Sequence, residues 1–184
     1  MDSSPIDVSA DPVQEAVEHP SPVNLRRGGV DFTLTPKAHY VLRGIVLGES
    51  SYHYDAFYKL APCDVAMCWG KLVKGKQYTQ LKWSQSTRWY WWTYGEGFGH
   101  DNAWVSRWSS NTHIIPADRN LERAAKGLRE RQPAELEGDL VFVDWSNGGQ
   151  ARWWRTSLSR EDTGNGSCEI LYLTRVRQGG KVYE

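Results

Sequence analysis

The chain has 184 residues, with Lys+Arg and Asp+Glu balanced at 22 each and a formal net charge of zero at pH 7. That length suits one domain of ~100–200 residues with a hydrophobic core of its own, so folding does not require disulfides. A neutral balance gives no global attraction for a long nucleic acid or an anionic membrane, and no run approaches the ~20 apolar residues that span a bilayer.

Residues 1–30, from "MDSSPIDVSADPVQEAVEHP" onward, are polar, acidic and proline-bearing, and are read as a disordered tail or linker. They lack the basic and apolar regions of a signal peptide. One β-rich domain is expected over residues 31–184. "HYVLRGIVLG" has the β-branched content of a strand, and a short helix is expected over "YDAFYKLAP", ending by Pro62. Of the three cysteines, Cys63 and Cys68 in "CDVAMC" lack the C-x-x-C spacing of a zinc knuckle or redox pair, and the odd count leaves a thiol over. No metal or cofactor is expected.

"QYTQLKW" and "TRWYWWTY" read as two strands separated by the polar "SQS". Alternation puts Trp89 and Trp91 on one face and Tyr90 and Trp92 on the other. "GEGFGHDN" is a glycine-rich loop without the spacing of a nucleotide fingerprint. "PADRNLERAAKGLRERQ" predicts the long helix of the chain, with Leu121, Ala124, Ala125 and Leu128 as its apolar stripe. "DLVFVDW", a turn at "NGG", "ARWWRTSL" and "CEILYLTRV" then supply the last strands. About six or seven strands with one long and one short helix make the chain mainly β (α+β): a small curved sheet or a partly open barrel of the OB kind.

Several stretches together resemble a family of uncharacterised bacterial membrane proteins: "CDVAMCWG", "RWYWWTY", "SSNTHIIPA", "EGDLVFV" and "WWRTSLSREDTGNGSCEI". In that family they correspond to a D-x-A-x-x-W-G segment, an aromatic strand, an S-x-N-x-H-x-I-P-A stretch, a G-D-x-V strand and a closing R-x-D-x-G-x-G-x-C-E segment. The resemblance covers residues 32–176. It implies an N-terminal membrane anchor ahead of a tryptophan-rich β domain, and a cell-envelope setting. No anchor is read in this sequence, so the expectation is either a soluble copy or one whose anchor has been removed, and the sequence taken alone reads as cytoplasmic. The family brings no established activity with it.

Two chemistries compete. Ten Trp and nine Tyr against four Phe favour side chains with a polar tip on an apolar body, suited to binding surfaces as well as cores. Trp89, Trp91, Trp92, Trp153 and Trp154, flanked by Arg88, Arg152 and Arg155, could form a platform for a glycan or protein ligand, or for a short nucleic-acid single strand. The alternative is a cysteine-dependent hydrolase or transferase in which His113 activates Cys168 and Asn111 or Asp162 orients the imidazole. The loop "REDTGNGSCE" is equally what a structural turn needs, with Arg160 pinning Asp162 and Glu169 at the strand edge. On the sequence, a non-catalytic binding or assembly module is the first reading and the thiol enzyme the second.

Overall fold

The computed structural model describes residues 4–55, 57–159 and 167–184. The fold is mainly β, with 52% strand and 14% helix, as the sequence patterning predicts. Its backbone is the 22-residue strand β3 (Val30–Ser51), in which Phe32, Leu34, Ala38, Tyr40 and Leu42 are buried at the spacing of two that sends alternate side chains to one face. Pro36 cannot donate to a ladder, and the register with β8 (Pro133–Asn147) shifts just beyond it, between Pro36 and Ala38.

β3 pairs with β4 (Cys63–Cys68), β4 with β7 (Ser109–Pro116), β7 with β10 (Ile170–Gln178), β10 with β8, and β8 returns to β3. These five strands form a ring that is not a regular barrel. Every pairing in it is antiparallel except β7 with β10. Inside it lie Tyr40, Leu42, Val65, Met67, Ile114, Leu136, Leu140 and Leu171. Gly138 sits where β8 passes between Tyr40 and Leu173, and a Cβ there would lie 2.0 Å from the Tyr172 carbonyl oxygen.

α3 (Arg119–Lys126) covers this core through the expected stripe of Leu121, Ala124 and Ala125, continued by Leu128 beyond its end. It is far shorter than the long helix predicted. Asp118 caps its start by accepting from the Leu121 N–H, and Gly127 ends it after two turns. No helix forms among the described residues of 54–62. The Phe57 carbonyl closes a single turn onto the N–H groups of Leu60 and Ala61, and Asp55 turns its carboxylate to the Phe57 N–H. α1 (Gly70–Val73) is a single turn after β4, and a second helix that the composition hides, α2 (Asn102–Arg107), follows the glycine-rich loop and is capped by Asp101.

Residues 13–27 also depart from the expected tail. β1 (Val13–Ala16) and β2 (Val23–Arg27) both pair with β3, although every residue of β1 is exposed. Composition tracks side-chain burial, whereas these strands are held through backbone ladders that polar residues make equally well. No helix among the described residues is long and apolar enough to cross a membrane.

β5 (Leu81–Ser86) and β6 (Trp89–Tyr94) form a separate two-stranded hairpin. The "SQS" expected to separate them belongs to β5, and the turn is Thr87–Arg88. Both turn residues have positive φ, 48° and 70°, a conformation usually left to Asn and Gly.

Candidate active site

Asp64 on β4 stands directly opposite His113 on β7. Alternation sends Cys63, Val65 and Met67 into the ring core and Asp64 to the other face, beneath the β5–β6 hairpin. There Asp64 is fully buried, which for a carboxylate demands partners. It has four. His113 Nδ1 lies 2.8 Å from Oδ1, a close contact set off the axis of a straight hydrogen bond, and Arg88 Nη1 donates to the same oxygen at 2.8 Å. The Tyr52 hydroxyl and the Asn111 amide donate to Oδ2 at 3.1 and 3.3 Å.

The third member arrives from β10. His113 N–H donates to the Glu169 carbonyl at 2.8 Å, and Ile170 is in register with His113. Cys168 therefore sits at the mouth of β10, its own carbonyl accepting from Ser157 N–H at 3.0 Å. Cys168 is half-buried, and its sulfur lies near enough to the His113 imidazole to raise the imidazole pKa. Burial alone would push the imidazole pKa down. The Asp64 carboxylate and the Cys168 sulfur outweigh it and hold the pKa up at about 9, so His113 is a cation at neutral pH. Trp154 packs over the His113 ring with centroids 4.8 Å apart, and Phe57 stacks on Trp154 at 4.5 Å.

Cys63 and Cys68 are a different kind of thiol. Both are buried in β4, and desolvation pushes both well above the ordinary thiol range. Such thiols are inert, whereas a thiol beside an imidazolium has the surroundings of a nucleophile.

Of the residues that the sequence singles out, His113 and Cys168 come together. Asn111 does not orient the imidazole. It holds Asp64 and the Arg88 carbonyl, and accepts from Gln85 Nε2 at 2.8 Å. Asp162 and Arg160 lie outside the described residues, and Glu169 is buried. Arg88 is not a flank of the aromatic surface. Its guanidinium is spent on Asp55 (2.7 and 3.0 Å), on Asp64 and on the face of Tyr52 at 3.9 Å. Trp89 and Trp91 are exposed on one face of β6, while Trp92 turns inward against Trp83 and Tyr90 and donates to Asn102. Trp153 is exposed on β9 (Gln150–Arg155), where Arg155 bonds Asp144 and Arg152 bonds Gln150. Trp154 belongs to the histidine.

The residue that sequence reasoning missed is Asp64, together with Asp55 and Tyr52. The signal was present: an acid in the middle of the apolar "CDVAMC" has to be paired.

Compared with family models, with curated proteins and with solved structures, the chain matches none.

Proposed function

We propose that the protein is a cysteine-dependent hydrolase or transferase working by acyl transfer, with Cys168 as nucleophile, His113 as acid and base, and Asp64 as the group that holds His113. The observation that carries the reading is the parallel β7–β10 pairing, which brings Cys168 beside His113 with a buried carboxylate 2.8 Å behind the ring. A thiol, an imidazole and an orienting third group are the parts that covalent acyl transfer needs.

The sulfur of Cys168, its proton held on His113, attacks the carbonyl carbon of an ester, thioester or amide. The His113 imidazolium gives that proton to the leaving group as the carbonyl–heteroatom bond breaks, which leaves a thioester on Cys168 and a neutral imidazole. Water or an acceptor alcohol or amine then attacks the thioester, His113 takes the proton, and the thiolate departs. Asp64 holds the ring in place and stabilises the imidazolium whenever it forms.

The test is a burst assay with 4-nitrophenyl acetate and mass spectrometry of the quenched protein. An initial burst of 4-nitrophenol and an acetyl group on Cys168, both lost in Cys168→Ala and in His113→Ala, are the expected results. Equal release by the wild type and Cys168→Ala contradicts the reading.

A second reading, a binding or assembly module for a glycan or protein, is favoured by the exposure of Trp89 (44%), Trp91 (45%) and Trp153 (67%). Exposed indole faces suit such partners. These side chains lie on two separate hairpins, and among the described residues no ring contact joins them.

A further inference from the structure

A cavity of about 440 Å³ opens among the end of α3, the turn from β10 to β11 (Lys181–Tyr183) and the N-terminal segment at Ser4 and Ile6. Its lining contains Arg123, Arg129, Arg177 and Lys181, and no acidic residue. Arg177 is engaged, since its guanidinium donates to the Ser4 carbonyl and hydroxyl and lies 3.4 Å from Glu135. Arg123, Arg129 and Lys181 have no ion-pair partner among the described residues. Three uncompensated cations on one concavity, in a chain whose charges sum to zero, make a local positive field that an anion would relieve.

A helix dipole accounts for part of this, because Arg123 stands in the last turn of α3, where a cation is favourable. It does not account for Arg129, which lies past the helix end, or for Lys181 on β11. Part of the lining is apolar: Ala124, Leu128 and Val176 are buried and Tyr183 is half-buried. Guanidinium forks match the oxygens of a phosphate, and apolar lining takes a ring.

We propose that this cavity binds a small phosphomonoester or phosphonate with a flat apolar body, at a site separate from Cys168. The probe is phenylphosphonate, titrated calorimetrically into the whole protein at low ionic strength. Saturable one-site binding is expected. It weakens about tenfold or more when Arg129→Ala and Lys181→Ala are combined, because two charge-assisted contacts are lost. Both positions are exposed, and an unchanged Tm verifies that the double variant folds. Cys168→Ala should bind as the wild type does, so this site stands or falls independently of the acyl-transfer chemistry. Inorganic phosphate should bind more weakly than phenylphosphonate, and benzyl alcohol not measurably. Absence of saturation, equal affinity in the double variant, or equal binding of benzyl alcohol would each overturn the proposal.

Discussion

Asp64 Oδ1 and His113 Nδ1 meet at 2.8 Å across the β4–β7 ladder, and the same carboxylate receives the Arg88 guanidinium from the β5–β6 hairpin. One buried charge thereby serves two partners on two different elements. Asp64→Ala leaves the buried His113 imidazolium without its carboxylate and Arg88 with Asp55 alone, and should lower the unfolding free energy by about 3–5 kcal/mol in urea titrations. Asp64→Asn keeps the shape and costs less stability. It removes the charge behind His113, however, and should reduce acyl transfer about a hundredfold or more.

The His113 pKa gives a pH dependence with a definite sign. It is raised from 6.5 to about 9 in the folded protein, so the imidazolium contributes stability that is complete below pH 6.5 and is lost as the pH rises through about 9. The shift corresponds to about 3 kcal/mol at its upper end. Urea midpoints of the wild type should fall across that window, and those of His113→Gln should be flatter there.

Gly138 makes a prediction about the ring itself. A Cβ at this position meets the Tyr172 carbonyl oxygen at 2.0 Å, inside a strand that is paired on both edges. Backbone cannot yield as the end of a flexible side chain can, so Gly138→Ala should destabilise by about 2–4 kcal/mol. Gly149→Ala, where nothing lies within 4 Å, meets only the strain of a positive φ and should cost about 1 kcal/mol. Thermal unfolding of the two variants side by side gives the comparison.

Arg88 clips the hairpin to the ring through Asp55 and Asp64 while holding a φ of 70°. Left-handed conformations of large residues persist where the surroundings over-determine them. Arg88→Ala should loosen the hairpin, raising amide exchange over β5 and β6 well before global unfolding. Trp89→Ser and Trp91→Ser, on the exposed face, should change stability by no more than about 0.5 kcal/mol.

Much of this fold was legible in the sequence. The alternation of β3, the "NGG" turn leading into β9 and the stripe of α3 come from local periodicity, and each stands where the pattern puts it. β1 and β2 escaped because backbone pairing leaves little trace in composition. α2 escaped because its signals are a cap at Asp101 and one buried valine. At the site, His113 and Cys168 were readable as residue types, yet their meeting depends on the parallel β7–β10 pairing, a long-range register that no local pattern carries. Asp64 was visible as a charge in an apolar run, but not as the partner of either His113 or Arg88.

In the proposed chemistry His113 makes Cys168 a nucleophile. The most direct test is timed alkylation of the native protein by iodoacetamide near neutral pH, with each cysteine followed by mass spectrometry. Cys168 should be modified rapidly while Cys63 and Cys68 stay protected until unfolding, and His113→Ala should slow Cys168 by about tenfold or more. Modification of Cys168 at the same rate with and without His113, or only after the protein unfolds, would contradict that chemistry.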